Sequence, residues 1–223
     1  MLNKVFLSHS DVVREQLKSP VLVVPNALDV REAEALYQAL DSATSWSKQD
    51  IRTWQEQGYD LADFEYKRKH IDLESDFAPP ELKGLNQYMN KPETRQWFTN
   101  VCGRSCDRFI ASATLFGCGD HISEHNDEYT YEELGKPRYT RALTFNYYLS
   151  KMWESDWGGN LIWKDPYQCI VPSFNTLVLF RVTENSNHWV EPVKENALEK
   201  RLSITGWFLT EIRSGAFNLS LGK

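Results

Sequence analysis

The chain has 223 residues, 41% hydrophobic and 25% charged. This is an ordinary globular composition that excludes long disorder, collagen-like and coiled-coil classes, and the length suits a single all-β barrel or sandwich with a sizeable core. A formal net charge of −6 gives no electrostatic reason to expect a nucleic-acid partner, and no run of about 18 apolar residues is present to span a membrane. The four cysteines, Cys102, Cys106, Cys118 and Cys169, contain no Cys-x-x-Cys pair and read as reduced thiols. The short apolar start, Val5-Phe6-Leu7, is broken by Ser8-His9-Ser10-Asp11 before a signal segment could form. A soluble cytoplasmic protein is expected.

Val21 to Val24, a β-branched run between Pro20 and Pro25, predicts a short strand. Asp29 is placed to N-cap a helix carrying Ala33, Leu36, Tyr37 and Leu40 on one face. Trp46 to Tyr59 is polar and is expected to be loop, and Phe64 to Leu73 an exposed strand. Pro79-Pro80 opens a second helix through Tyr88, and Pro92 a third with Trp97, Phe98 and Val101 inward and Gly103 at its end. From Arg108 the period changes to extended. Phe109 to Phe116, Arg141 to Leu149, Gly159 to Trp163, Cys169 to Val171, Thr176 to Phe180, Trp189 to Val193 (an expected edge) and Arg201 to Leu209 read as strands between turn residues. Seven or eight such strands predict a double-stranded β-helix, or jelly-roll, core. The fold class is mainly β with N-terminal helices (α+β). We expect one domain over 1–223, with 1–107 a mainly helical support and 108–213 the core.

Two short stretches carry the chemistry. His125-Asn126-Asp127 and the distant His188 offer two imidazoles and one carboxylate, the ligand types of a facial triad that leaves positions open on non-haem Fe(II). Residues i and i+2 of a strand share a face, so His125 and Asp127 are expected to point into one cavity, with His188 brought alongside by a later strand. A His-x-Asp alone is a weak signal that also fits a surface turn. The same stretch fits a second motif. His121, Glu124 and His125 match the inverted zinc-peptidase pattern, which requires a helix, whereas Gly117 and Gly119 and a β-rich run precede it.

The order of the downstream pieces is more specific: Trp157-Gly158-Gly159-Asn160, Val171-Pro172-Ser173-Phe174-Asn175, Leu177 to Phe180, His188-Trp189-Val190 and Arg201 to Phe208. From Arg108 to Leu209 this series resembles the prolyl-4-hydroxylase-like branch of the Fe(II)/2-oxoglutarate dioxygenases. The resemblance implies iron held by His125, Asp127 and His188, and Arg201 gripping the distal carboxylate of 2-oxoglutarate. It also puts Tyr148 beside that carboxylate, although a core aromatic is an equal reading. Arg suits the role because its rigid fork matches a carboxylate; the plainer alternative is an ion pair with Glu195 or Glu199. Thr205 falls on the same strand face as Arg201.

Three positions depart from, or narrow, the resemblance. Leu115 and Phe116 stand where many prolyl hydroxylases carry a tyrosine, and 13 residues separate His188 from Arg201, a longer interval than expected. Trp207 stands where the nucleic-acid demethylase branch carries a second arginine. The implied reaction consumes 2-oxoglutarate and O2, releases succinate and CO2, and hydroxylates a C–H bond of a protein, with a prolyl residue among the candidates, or of a small molecule. Asp127 keeps the carboxylate ligand, so hydroxylation is expected over halogenation. The segment 128–139, with Tyr129 and Tyr131, is either a lid or a solvated loop. The remaining alternatives are a zinc metallopeptidase and a non-catalytic jelly-roll binding module.

Overall fold

The computed structural model describes residues 19–50 and 65–213. In chain order these form β1 (Leu22–Pro25), α1 (Val30–Asp41), β2 (Ser47–Asp50), β3 (Tyr66–Asp72), α2 (Pro80–Met89), α3 (Pro92–Cys102), β4 (Arg108–Phe116) and β5 (His121–His125). They continue with β6 (Thr130–Tyr131), β7 (Arg138–Tyr148), a 3-10 turn (Ser155–Trp157), β8 (Leu161–Trp163), β9 (Gln168–Ile170), β10 (Thr176–Arg181), β11 (His188–Val190) and β12 (Arg201–Ile212). The helix starts follow the sequence signals. Asp29 Oδ1 accepts the Arg31 amide at 2.9 Å, and prolines occupy the first turns of α2 and α3. Gly103, at φ +74, ends α3 in the left-handed conformation that glycine adopts without a Cβ clash.

All strands join one curled antiparallel sheet, in the order β1-β10-β7-β12-β4-β3-β5-β11-β8-β9, with β2 on β3 and β6 on β7. This is the jelly-roll architecture expected. The period-2 alternation of β12 divides its side chains between two cores. Leu202, Ile204 and Phe208 face the three helices, where Phe98 of α3 stacks on Phe208 at 4.2 Å between ring centres and Phe109 and Phe145 close around them. Arg201, Thr205 and Trp207 face the other way, into the hollow of the curl. Apolar walls of that hollow come from Phe116, Ile122, Leu161 and Val190.

Three expectations change. Ser47–Asp50 is a strand paired with β3 rather than loop; the remainder of that stretch lies outside the described residues. β3 is not an exposed strand: it lies between β4 and β5, with Tyr66 and Arg68 buried, so strands from before residue 107 are built into the sheet. β11 is not an edge, since β5 and β8 flank it. In each case the pairing partner is far away in sequence, so local pattern carried no record of it.

Buried polar groups tie the layers together. Asn175, at φ +54, accepts the Leu28 amide at 3.0 Å and the Tyr147 hydroxyl at 2.8 Å through Oδ1, and its Nδ2 donates to the Leu28 carbonyl at 3.0 Å. The segment after β1 is thereby locked to the start of β10 with its polar atoms satisfied.

Candidate metal centre

β5 ends at His125, and the chain then leaves the sheet. Asp127 sits at φ +66, a left-handed conformation that aspartate tolerates better than most residues. Strand alternation therefore does not align His125 with Asp127, contrary to expectation; a turn does. That turn is held by the Glu128 amide donating to Asn126 Oδ1 at 3.0 Å and by Ser186 Oγ, 2.6 Å from the Asn126 carbonyl. His188 opens β11 directly opposite His125, as expected, with ring centres 4.2 Å apart. One ligand atom from each of His125, Asp127 and His188 lies within 4.8 Å of the others.

The surroundings turn both rings and fix the charge of Asp127. His125 Nδ1 lies 2.9 Å from the Ser123 carbonyl and His188 Nδ1 lies 2.8 Å from the Ser186 carbonyl. Carbonyls only accept, so Nδ1 of each ring donates to its carbonyl, and Nε2 is the atom turned toward Asp127, 3.3 Å and 3.7 Å respectively from its oxygens. Burial and the neighbouring His125 push His188 down to about 4 against the opposing pull of Asp127. For Asp127, burial favours the neutral acid, but His125, His188 and Arg141 outweigh it and hold the carboxyl well below the usual carboxylate range. Two imidazoles and one carboxylate are the donor set that suits non-haem Fe(II).

Side chains behind the ligands fix their directions. Thr144 Oγ1 donates to Asp127 Oδ2 at 2.8 Å, and Arg141 Nη1 donates to the Asp127 carbonyl at 3.2 Å. Trp163 stacks on His188 at 8° between planes, and Phe180 meets it edge-on at 4.7 Å. None of these four was singled out from the sequence. Thr144 had a usable signal, as a polar residue alternating with Asn146 and Tyr148 in an otherwise apolar strand.

The cavity encloses about 530 Å³ and contains every expected site residue. Arg201 is 2% exposed, and no carboxylate pairs with it among the described residues. Glu199 instead accepts the amides of Lys151 and Met152, which removes one ion-pair alternative. Arg201 Nε donates to the Gly159 carbonyl, and a Cβ on Gly159 would lie 2.8 Å from Arg201 Cδ, so this position must be glycine for the arginine to pass. The guanidinium lies 4.6 Å from the Phe116 ring and 5.3 Å from that of Tyr148. Burial drives Tyr148 up to about 12 despite Arg201, so its hydroxyl remains protonated. Thr205 lines the same wall, opposite Asn146 and Ser112. A buried guanidinium beside a hydroxyl, with no carboxylate partner among the described residues, is a fitting receptor for one end of a dicarboxylate.

The zinc-peptidase constellation is not assembled. β5 is a strand, His121 contacts Glu65 and the Gly119 carbonyl, and Glu124 forms an exposed ion pair with Lys164, none of them in the cavity. The segment after the ligands is clipped to β7 through β6, and Tyr129 and Tyr131 form part of the cavity wall.

Fold and donor set together describe a jelly-roll protein with two imidazoles and one carboxylate gathered in its hollow, a set that suits a non-haem metal. The 2OG-Fe(II) oxygenase superfamily model matches residues 111–209, the part of the chain that carries His125, Asp127, His188 and Arg201. The chain is 28% identical over 203 residues to Prolyl 3-hydroxylase sudestada1 of Drosophila melanogaster, covering 84% of this chain and 34% of that one. It is 30% identical over 153 residues to Prolyl 3-hydroxylase OGFOD1 of Mus musculus, covering 64% and 26%. The chain thus spans about a third or less of the length of these relatives. Among solved structures, a Pseudomonas putida prolyl-4-hydroxylase superposes with TM-score 0.61 at 18% identity, covering 89% of this chain and 97% of that one. A Trichoplax adhaerens prolyl hydroxylase in complex with a hypoxia inducible factor peptide fragment superposes with TM-score 0.63 at 19% identity, covering 91% and 89%. No helix among the described residues is long and apolar enough to cross a membrane.

Proposed function

We propose that this protein is an Fe(II)- and 2-oxoglutarate-dependent hydroxylase, with a prolyl residue of a protein as the first candidate substrate. The observation that carries the reading is the convergence of His125, Asp127 and His188 within 4.8 Å, in one cavity with Arg201, which has no carboxylate partner among the described residues. His125 Nε2, His188 Nε2 and the Asp127 carboxylate hold the metal. Arg201 receives the distal carboxylate of 2-oxoglutarate, with the Tyr148 hydroxyl donating to the same group and Thr205 supporting it from β12. When bound, iron and 2-oxoglutarate supply the oxidising chemistry, in which O2 is consumed, succinate and CO2 are released and a substrate C–H becomes C–OH.

The chain's own residues prepare that chemistry. The Ser123 and Ser186 carbonyls hold Nδ1 of the two histidines, so both rings are already turned with Nε2 toward the site. Phe116, Ile122, Leu161 and Val190 keep water from the centre and strengthen the pull of Arg201 on an anion. A volume of about 530 Å³ falls within the usual range for small-molecule sites, ~300–1,000 Å³. The prolyl assignment is supported by the names of the relatives, and the wall formed by Tyr129, Tyr131 and Trp207 gives flat aromatic surface for a ring substrate. A reducing, cytoplasmic setting goes with this reading, supported by four cysteines that are all free.

Anaerobic addition of Fe(II) and 2-oxoglutarate tests it. The wild type is expected to develop the visible metal-to-ligand charge-transfer band, and His188→Ala to lose it. No band in the wild type overturns the hydroxylase reading, and a band unchanged by the substitution removes His188 from the ligand set.

A further inference from the structure

β3 sends Tyr66, Arg68, His70 and Asp72 into the cavity on alternate positions. Arg68 is 8% exposed, as buried as the hydrophobic residues around it. Its Nε donates to Gln49 Oε1 at 3.3 Å, the Tyr66 hydroxyl donates to the same oxygen at 2.8 Å, and its guanidinium lies 4.7 Å from the centre of the Tyr66 ring. These contacts aim the side chain and leave its two terminal nitrogens without a hydrogen-bond partner among the described residues. No carboxylate pairs with it among the described residues. Asp72 is engaged by the Glu74 amide, and Asp127 by Thr144 and the histidines. Burying a cation without a counter-ion is unfavourable, so a site that keeps one is built for an anion that arrives later. Two further buried polar atoms on the cavity lining, Trp207 Nε1 and His70 Nδ1, also lack partners. Arg201 already accounts for one carboxylate of 2-oxoglutarate and the metal for the other, so Arg68 is left over.

We propose that Arg68 anchors a carboxylate carried by the substrate, so that the enzyme takes acidic substrates: either a free imino or amino acid, or a peptide with an acidic residue beside its target. The inference rests on the hydroxylase reading above. Arginine presents two parallel donors to a carboxylate, and an amide in the same place would leave one of them unmet.

Calorimetric titration of the anaerobic protein, loaded with Fe(II) and 2-oxoglutarate, decides the matter with two matched probe pairs. One pair is L-proline against L-prolinamide; the other is N-acetyl-prolyl-glutamic acid amide against its glutamine counterpart. In the wild type, the carboxylate member of one pair should bind about ten- to a hundredfold tighter than its amide. Preference within the first pair identifies a free acid, and within the second an acidic peptide. Arg68→Gln should bring the two members level, while Arg68→Lys, which keeps the charge, retains part of the preference. Equal binding within both pairs by the wild type overturns the proposal, as does a preference that survives in Arg68→Gln. A rise in the 2-oxoglutarate needed for half the charge-transfer band in Arg68→Gln, as large as in Arg201→Gln, overturns it by assigning Arg68 to the cosubstrate. Absence of the band in the wild type instead removes the hydroxylase reading itself.

Discussion

Asp127 is held in place by its neighbours rather than by its own backbone preference. A non-glycine residue at φ +66 carries a conformational cost, and here it directs a carboxylate toward two histidines on different strands. Thr144 and Arg141 then hold the carboxylate from behind. Thr144→Val keeps the shape of the side chain but removes the donor to Oδ2, so the oxygen must turn or remain unsatisfied. We expect Fe(II) affinity to fall about ten- to a hundredfold, with little change in fold. Competition with a chromogenic chelator measures it, and an unchanged affinity would show that Thr144 does not orient the ligand. At this scale the sequence was informative about identity and silent about support. His125, Asp127, His188 and Arg201 were legible from their order, whereas Arg141, Thr144 and Arg68 acquire meaning only from what the fold sets beside them.

β12 is the element on which both halves of the molecule depend. Its cavity face carries Arg201, Thr205 and Trp207, and its other face carries Leu202, Ile204 and Phe208 against the helices. Both sets lie on one strand with β4 and β7 on either side, so packing on the helix side fixes the register that presents Arg201. Phe98, fully buried against Phe208 and Phe145, is the contact through which α3 bears on that strand. Phe98→Ala should reduce stability by about 3–5 kcal/mol. Urea unfolding followed by circular dichroism measures it, and a loss well under that range would mean the helices close around the space.

The curl of the sheet makes the site a property of the whole molecule. His125 and Asp127 adjoin β5, His188 lies on β11 and Arg201 on β12, and the candidate metal ligands come together only in the folded chain. A metal held by such a set binds the native state far better than the unfolded one, so it must stabilise the fold. Loading with Mn(II), a redox-stable substitute for Fe(II), is expected to raise the thermal midpoint of the wild type and to leave that of Asp127→Ala unmoved. Equal shifts in the two proteins would place the metal elsewhere.

The sequence by itself determined the fold class, the three helices and most of the strands, because capping residues, prolines and period-2 alternation act within a few residues of chain. It also singled out His125, Asp127 and His188 as candidate ligands, through the order of the motifs. The tertiary structure alone decided that β3 lies inside the sheet and that β11 is flanked on both sides. It decided that a left-handed turn, not a strand, delivers Asp127. It decided too that Arg68 shares a cavity with Arg201 and lacks a carboxylate partner among the described residues. The physical reason is common to all four. Strand pairing and the burial of a charge are settled by residues far apart in the chain, and local pattern holds no trace of which distant segment will close over a given side chain.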